Sequence, residues 1–259
     1  MAEIHHAARS GFSKASSAYV SGRPGYPKEI DRWLRDTLDM CSNKRVVDLA
    51  AGTGKFTDHL LQTGAEVIAV DPVQPMLDEL RRSYPAACAM EGSATRIPLE
   101  DESADALFCA QAFHWFASTE TMNEIKRVLK PGGVFGLIWN IRDETTGWVA
   151  ALSRIMAPHE KDAPRFYAGH WRSVFPAEGF GDLREATFEN AYRGHFETVV
   201  VDRVMSVSFI ASLSRSEREE VSQQVRQLVI AYPGLSDETD VTFPYQTFVA
   251  WTEKSRAGT

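Results

Sequence analysis

The chain has 259 residues, a length that suits one large domain or one domain with a sub-domain. Its composition is 44% hydrophobic and 24% charged, which is typical of a globular protein and excludes wholesale disorder. It carries 28 basic and 35 acidic residues, so the net charge is −7, and this acidic balance disfavours a broad nucleic-acid-binding face. We therefore expect a small-molecule partner and no nucleic acid.

Cysteine usage and hydropathy indicate the compartment. The three cysteines, Cys41, Cys88 and Cys109, are far apart and form no Cys-x-x-Cys pair, which fits a reducing environment. No apolar run approaches the roughly eighteen residues of a membrane helix, and the first residues lack a signal-peptide pattern. The sequence predicts a cytoplasmic protein without a membrane partner. No His/Cys cluster has the spacing of a metal site, so we expect no metal.

In the first half of the chain, short β-rich runs alternate with helical patterns, as in a parallel α/β sheet. The predicted strands are Arg45–Leu49, Glu66–Val70, Ala86–Met90, Ala104–Ala110 and Val134–Trp139. Three apolar stripes at helical spacing lie between them: Phe56, Leu60 and Leu61, then Met76, Leu77 and Leu80, then Met122, Ile125, Val128 and Leu129. We expect Pro131, Gly132 and Gly133 to separate the third helix from the following strand.

The regular alternation ends after Asn140, where helical pieces and an aromatic loop follow. Further strands are predicted near Leu183–Tyr192 and Thr242–Trp251. Between these strands, Ser214 and Glu217 have capping-box spacing ahead of an apolar helical stripe, and a Pro-Gly pair ends that helix.

The most informative segment is 46–57, in which an apolar strand enters a turn of small residues and then a helix. Small residues let a ligand approach the backbone, and the helix start offers free N–H groups. A phosphate-binding P-loop would need glycine at Leu49, and a dinucleotide turn would need glycine at Thr57. The remaining pattern, Asp-x-small-x-Gly-x-Gly from Asp48, suits a ligand without pyrophosphate, namely S-adenosylmethionine.

A second signal is Asp71, which follows the apolar run 67–70 and lies 23 residues after Asp48. A carboxylate at the end of the second strand can accept hydrogen bonds from ribose hydroxyls. The alternative is that Asp71 caps the helix that follows it. The spacing from the small-residue turn favours the ribose role.

These motifs resemble those of class I S-adenosylmethionine-dependent methyltransferases. The segment Glu91–Leu99 is similar to the family's adenine-edge loop, Ala104–Ala110 to its fourth strand, and Leu129–Gly133 to its turn into the fifth. Phe12 and Tyr19 with the segment 23–27, and the segments 111–116 and 139–143, resemble the small-molecule branch that includes trans-aconitate methyltransferase-like enzymes.

The resemblance implies an α/β fold: a Rossmann-like, seven-stranded, mostly parallel sheet with helices on both faces and a cap of helices and loops. Ligands of open α/β sheets bind at the carboxyl edge, where we expect the cap to lie. Residues 1–142 would form an N-terminal lid and the cofactor-binding core. Residues 143–259 would supply the cap and the last strands of the same sheet.

The resemblance also implies cofactor contacts. Asp48 and the turn would hold the methionine end, Asp71 the ribose, and Ser93 the adenine. The implied cofactor-binding residues are Tyr19, Arg23, Asp48, Ala50, Ala51, Gly52, Gly54, Asp71, Pro72, Met76, Ser93, Ala94 and Gln111. Arg23 lies in a segment that resembles the family's lid, where it would pair with the cofactor's carboxylate or be a solvated residue of a proline-rich turn.

Two positions depart from the family's pattern. Ala50 replaces the first glycine of the turn, which is tolerable if its φ stays below zero. Ser93 stands where many relatives carry aspartate, so a hydroxyl or the backbone would recognise the adenine amino group.

The acceptor-side candidates come from the ends of the predicted fourth and fifth strands and from the aromatic loop. His114 comes after the fourth strand, where it would act as a general base or only orient its neighbours. The candidate substrate contacts are Trp115, Trp139, Asn140, Tyr167, His170 and Arg172. Packing or a folded surface loop is the alternative for these residues.

The predicted reaction is direct in-line displacement, in which a small-molecule acceptor takes the methyl group, with O-methylation of a carboxylate or hydroxyl as the first choice. N- or C-methylation, and a non-catalytic cofactor-binding protein, are the alternatives. An NAD-linked oxidoreductase is disfavoured by Thr57. A nucleic-acid methyltransferase is disfavoured by the charge and by the segment Gln111–His114, which lacks the Asn/Asp-Pro-Pro-Tyr motif.

Overall fold

A seven-stranded sheet organises the chain. In this computed structural model, residues 23–160, 165–233, 235 and 240–256 are described. The strands are β1 (Arg45–Leu49), β2 (Glu66–Asp71), β3 (Cys88–Glu91), β4 (Ala104–Ala110), β5 (Leu129–Arg142), β6 (Arg184–His195) and β7 (Asp240–Glu253).

The strand order is β3-β2-β1-β4-β5-β7-β6. Strands β1 to β5 pair in parallel. Strand β7 runs antiparallel to β5. Gly132 N–H donates to the Lys254 carbonyl (2.8 Å), and Asp143 N–H, later in the chain, donates to the earlier Pro244 carbonyl (3.1 Å). The predicted seven-stranded, mostly parallel sheet is confirmed.

Helices connect the strands, and their buried residues follow the predicted stripes, except that Phe56 lies just before its helix and Leu129 lies in the strand that follows its helix. They are α1 (Glu29–Arg32, continued as a π-helix over Trp33–Thr37), α2 (Thr57–Leu61), α3 (Gln74–Ser83), α4 (Thr119–Val128), α5 (Gly147–Met156), α6 (Arg203–Met205), α7 (Ser208–Ala211) and α8 (Arg215–Ala231). The capping box of α8 forms as expected: Ser214 Oγ accepts from Glu217 N–H, and the Glu217 carboxylate accepts from Ser214 N–H.

Strand β5 corrects one prediction. Pro131, Gly132 and Gly133 do not separate α4 from the strand, because β5 begins at Leu129, directly after the helix. Leu129 pairs with Ala104 and Val134 pairs with Ala106, so the Pro-Gly-Gly segment forms a bulge inside the strand. Gly132 supplies the positive φ (79°) that this bulge requires.

The chain forms two compact units. The larger unit comprises Tyr26–Trp139, Pro164–Phe188 and Thr247–Thr259, and the smaller unit comprises Met1–Gly25, Asn140–Ala163 and Glu189–Gln246. The core of the larger unit lies around β1, β2 and β4, whose residues are almost all buried because a parallel sheet is covered on both faces. The predicted division at residue 142 and the position of the cap stay predictions.

The smaller unit has its own apolar core. Helices α5 and α8 contribute Leu152 and Val225, and the amino-terminal half of β7 contributes Phe243, which packs on Trp148 at a ring-centroid distance of 4.8 Å. Among the described residues, no helix combines the length and apolarity needed to cross a membrane.

Candidate cofactor and acceptor sites

The carboxyl ends of parallel strands lie at one edge of a sheet, and the turn after β1 begins there. Ala51 N–H donates to the Val70 carbonyl (3.2 Å), and Gly54 N–H donates to the Ala51 carbonyl (3.0 Å). These bonds close a tight turn of small residues between β1 and α2, beside the end of β2.

Asp71 ties this turn to the second strand. Its Oδ2 accepts from Gly52 N–H (2.9 Å), and its Oδ1 accepts from Val73 N–H (2.8 Å). Val73, and not Asp71, is the N-cap residue of α3. A carboxylate has about four acceptor positions, so these two bonds leave capacity for ribose hydroxyls. The ribose role stays a prediction.

Asp48 is a buried carboxylate with only one of its oxygens bonded. Its exposed fraction is 1%, its Oδ2 accepts from the Thr57 hydroxyl (2.6 Å), and its Oδ1 has no hydrogen-bond partner among the described residues. Burial raises the pKa of Asp48 to about 7; the Thr57 hydrogen bond opposes this rise, and the charge of Asp71 adds to it. In the sequence, Thr57 served only to exclude a dinucleotide-binding turn. In the structure, its hydroxyl holds the Asp48 carboxylate.

The backbone at Ala50 corrects a second expectation. Its φ is +57°, not negative, so this alanine adopts the left-handed conformation that glycine would adopt without strain. Gln111, after β4, also has a positive φ, of 62°. Left-handed non-glycine residues persist where the surrounding structure holds them, and they occur often at functional sites.

Other predicted cofactor residues gather around Asp71. Gly92 N–H donates to the Asp71 carbonyl (3.3 Å), and Ser93 and Arg96 exchange two backbone hydrogen bonds that turn the loop after β3. Ala94 in this loop is buried and Pro72 is half-buried. Met76 Sδ lies 3.7 Å from where a Cβ on Gly52 would be. The structure thus brings the adenine-loop candidates and Met76 close to the β1 turn and Asp71.

The two lid candidates are Arg23 and Tyr19. Arg23 belongs to the smaller unit, where its Nη2 donates to the Ser206 carbonyl (3.3 Å). Tyr19 lies outside the described residues.

His114 is oriented by a tryptophan. The indole N–H of Trp139 donates to His114 Nδ1 (3.1 Å), and the Trp115 ring lies 5.2 Å from the imidazole. Because Nδ1 accepts, the neutral ring carries its proton on Nε2. In this tautomer the imidazole can donate through Nε2, whereas a general base needs an available nitrogen lone pair. The base role stays a prediction.

The aromatic loop candidates belong to the larger unit and differ in exposure. Trp139 is 1% exposed and packs on Trp171 at a centroid distance of 4.7 Å. Arg172 forms an ion pair with Glu185 and lies 4.5 Å from the Trp171 ring centroid. Tyr167 is 52% exposed, and His170 is also exposed.

Asn140 lies in the smaller unit and binds backbone. Its Nδ2 donates to the Gly25 carbonyl (3.0 Å) and to that of Pro24 (3.4 Å). Asn190 donates to the same Gly25 carbonyl (2.9 Å) and to Asn140 Oδ1 (3.0 Å). Sequence reasoning missed Asn190, because no pattern along the chain links an asparagine of β6 to Gly25.

The site fits a cationic nucleoside. Asp48 has an unsatisfied buried oxygen among the described residues, Asp71 has acceptor capacity, and neither forms an ion pair with a described side chain. S-adenosylmethionine carries a sulfonium, an ammonium and ribose hydroxyls, which match acceptors of this kind. The fold and this set of acceptors define a Rossmann-like protein with a site for such a cofactor.

Comparison with known proteins identifies the family. Residues 47–137 match the family model described as a methyltransferase domain. A methyltransferase-like protein of Schizosaccharomyces pombe is 40% identical over 240 residues, which cover 92% of this chain and 93% of the relative. The chain therefore belongs to the methyltransferase family. This confirms the predicted enzyme class, an S-adenosylmethionine-dependent methyltransferase, and its cofactor.

Other comparisons are more distant. Malonyl-[acyl-carrier protein] O-methyltransferase of Methylococcus capsulatus is 41% identical over 95 residues, or 34% of each chain. A solved protein of Anaeromyxobacter dehalogenans, assigned as a type II methyltransferase, has a TM-score of 0.64 at 20% identity, covering 90% of this chain and 97% of the other. A Haemonchus contortus phosphoethanolamine N-methyltransferase bound to S-adenosylhomocysteine has a TM-score of 0.58 at 14% identity. The match covers 99% of this chain and 61% of the other. At these identities the structures show the fold alone.

Proposed function

We propose that this methyltransferase O-methylates a small-molecule acceptor, and that the methylated group is a carboxylate. When bound, S-adenosylmethionine supplies a methyl group on a positive sulfur; a carboxylate oxygen bonds to that carbon as the S–C bond breaks, giving a methyl ester and neutral S-adenosylhomocysteine. The reaction needs alignment more than proton transfer, and alignment can contribute about 7–11 kcal/mol.

The cofactor contacts are proposed on the larger unit. Asp48 would accept from the ammonium, directly or through water, and its unsatisfied Oδ1 supports this role. Asp71 would accept from the ribose hydroxyls. The turn residues Ala50, Ala51, Gly52 and Gly54 would line the methionine end, with Gln111 beside it. Pro72, Met76, Ser93 and Ala94 would border the adenosine, and Arg23 with Tyr19 would act from the lid.

The observation that carries the choice of a carboxylate is the His114–Trp139 hydrogen bond. A hydroxyl or amine acceptor has a proton to lose, and its attack is helped by a general base, but a carboxylate is already ionised at neutral pH. With Nδ1 occupied by the indole N–H, His114 is suited to donate to an acceptor oxygen and not to remove a proton. The partial likeness to a malonyl-[acyl-carrier protein] O-methyltransferase supports the same choice.

The remaining acceptor contacts are proposed on the same basis. Trp115 and Trp139 would provide apolar wall, since small-molecule sites are lined largely by aromatic groups. Four further residues are proposed to contact the acceptor: Asn140, Tyr167, His170 and Arg172. Asn140 would contribute by holding the backbone at Gly25 in place.

The test is a methyl-transfer screen with labelled S-adenosylmethionine against matched carboxylic acids, alcohols and amines. The proposal predicts label in a product that mild base hydrolyses to labelled methanol, as a methyl ester does. Label that resists base in an amine or carbon product would support N- or C-methylation instead. S-adenosylhomocysteine binding by calorimetry without transfer to any acceptor class would favour the non-catalytic alternative.

A further inference from the structure

The loop that follows β3 is fixed at its beginning by close packing. A Cβ on Gly92 would lie 2.6 Å from Pro98 Cδ and 2.8 Å from Val70 Cγ1, so glycine alone lets the proline ring and the end of β2 approach the backbone here. Gly92 N–H also donates to the Asp71 carbonyl (3.3 Å). These contacts hold the point at which the loop leaves β3.

Helix α4 fixes the other end of the same loop. Glu124 Oε1 accepts from Ile97 N–H (2.7 Å). Arg127 donates to two backbone carbonyls, through Nη2 to that of Ile97 (3.1 Å) and through Nη1 to that of Leu99 (2.8 Å). Two side chains one helical turn apart therefore bind the loop backbone at three points.

These two side chains also hold each other. Arg127 Nε donates to Glu124 Oε2 and Arg127 Nη2 donates to Glu124 Oε1, each over 2.8 Å, as in a two-point guanidinium–carboxylate pair. The hydrogen bonds from Arg127 lower the pKa of Glu124, and burial opposes this shift. The Glu124 side chain is only 15% exposed. The pair is thus a preset, partly shielded support, unlike a solvated surface ion pair.

Between the two fixed ends lies a turn of four residues, 93–96. Ser93 N–H donates to the Arg96 carbonyl (3.2 Å), and Arg96 N–H donates to the Ser93 carbonyl (3.1 Å). The turn contains Ser93 and Ala94, which are proposed above to border the adenine. The hydrogen bonds from Glu124 and Arg127 reach the loop after this turn, so any effect of the pair on the adenine passes through the backbone.

We propose that Glu124 and Arg127 are positioning residues that fix the 93–96 turn and thereby make the cofactor site selective for adenine over other purines. The proposal rests on the cofactor contacts proposed above, because it requires this turn to border the base. Recognition of a purine amino group needs its partners placed within about 0.5 Å, which supporting hydrogen bonds provide. A loop without this support would take several conformations and recognise the base less well.

The experiment measures the dissociation constants of S-adenosylhomocysteine and S-inosylhomocysteine by calorimetry at constant pH and ionic strength. The second ligand has an oxygen in place of the adenine amino group. We expect wild-type protein to prefer the first ligand. Arg127→Met should weaken binding of S-adenosylhomocysteine about tenfold and reduce the preference about threefold, because the loop loses two of its bonds to α4.

Conservative variants grade the effect. Arg127→Lys keeps the charge but not the planar fork, so its affinity should lie between those of wild type and Arg127→Met. Glu124→Gln keeps an oxygen for Ile97 N–H but loses the charge that holds Arg127, so it should weaken binding about threefold and also reduce the preference.

The matched control is Arg82→Met on α3. Arg82 pairs with Glu79 at the same i,i+3 spacing, at the exposed surface of its own helix. This variant should leave both dissociation constants within about twofold of the wild type. A purely structural pair on α4 would change the melting temperature but not the ratio of the two dissociation constants.

An unchanged ratio in Arg127→Met and Glu124→Gln, or no preference in the wild type, would overturn the proposal. If Arg127→Met does not fold, the ratio in Glu124→Gln decides.

Ala94→Leu separates this inference from the proposed cofactor contacts. It adds bulk to the turn itself, so it should weaken binding of both ligands if the turn borders the base. Unchanged affinity in Ala94→Leu would remove the adenine contact proposed for this loop. Weakened binding in Ala94→Leu, together with wild-type preference in the two α4 variants, would remove only the positioning role.

Discussion

The two units of the molecule place opposite charges in buried positions. The larger unit buries carboxylates: Asp48 and Asp71 lie at the ends of neighbouring strands. In the smaller unit, Nε and Nη1 of the half-buried Arg203 have no hydrogen-bond partner among the described residues. Since isolated buried charges are unfavourable, the two carboxylates of the larger unit indicate a ligand of the opposite sign. A cationic cofactor fits these carboxylates.

The two units also differ in how the chain builds them. The carboxylate site uses residues of successive strand–turn–helix segments between positions 48 and 94, so its spacing is visible in the sequence. In the smaller unit, the polar contacts join distant segments, because Asn140 and Asn190 both donate to the Gly25 carbonyl. The comparison teaches that a charged site is recognisable in a sequence when local turns create it.

The largest effect that would test this comparison is expected at Asp48. Its pKa is about 7 when folded against 3.8 for the free side chain, so the folded state holds the proton more tightly. The contribution of this group to the free energy of unfolding is full below about pH 4 and falls by about 4 kcal/mol as pH rises to 7. Asp48→Asn should therefore raise stability at pH 8 by about 2 kcal/mol, after the cost of burying an amide. Urea denaturation at pH 5 and 8 measures this.

Asp105 provides a control of opposite sign in the same unit. Although burial opposes it, hydrogen bonds from Arg45 N–H and Lys130 lower the pKa of Asp105. A lowered pKa stabilises the fold above the unfolded value, so Asp105→Asn should lower stability at pH 8. Equal pH slopes for wild type and Asp48→Asn would contradict the buried-charge interpretation.

Asp71→Ala should weaken S-adenosylhomocysteine binding by about 1–3 kcal/mol, because ribose hydroxyls and Gly52 N–H would lose their acceptor. Calorimetry measures the affinity, and the melting temperature reports the loss of the turn. Asp78→Ala, an exposed carboxylate on α3, is the control and should change neither. Unchanged affinity in Asp71→Ala would remove the ribose assignment.

His114→Ala should lower turnover about tenfold, or about 1.4 kcal/mol, with cofactor affinity within twofold, because the acceptor would lose an oriented donor. With a carboxylate acceptor, the wild-type pH–rate profile should be flat between pH 6 and 8. If the wild-type rate instead rises with pH around the ordinary pKa of histidine, and His114→Ala loses this rise, then His114 acts as a general base.

The smallest effect is expected at Ala50. Its φ of +57° is strained for alanine, so Ala50→Gly should relieve about 1 kcal/mol of backbone strain in the folded state. The greater conformational entropy of glycine in the unfolded chain should cancel part of this gain. The net gain in the free energy of unfolding should be about 0.5 kcal/mol. Ala51→Gly, at a residue without positive φ, should instead lower stability. The same sign for both variants would show that strain at Ala50 does not contribute.

Much of the larger unit could be predicted from its local patterns. The bounds of β1 and β4 agree with the prediction, as does the strand–turn–helix motif. In the smaller unit, the predicted capping box of α8 also forms. The methyltransferase class and its cofactor also follow from these segments, because each depends on residues that are neighbours along the chain. Hydrophobic periodicity and turn residues report local structure directly.

Other features depend on contacts that a linear pattern does not carry. The Pro-Gly-Gly segment became a bulge because β4 offered pairing partners on both sides of it, at Ala104 and Ala106. Ala50 took a positive φ although its side chain alone disfavours it. Thr57 acquired its role only when folding placed its hydroxyl against Asp48.

The sequence by itself determined the fold class, the enzyme family, the cofactor and the position of the β1 turn. Only the tertiary structure decided the tautomer of His114, the partners of Asn140 and the burial of Arg203. The physical reason is range: backbone propensity and apolar spacing act over a few residues, whereas burial and hydrogen bonding of a side chain depend on segments that meet only after folding.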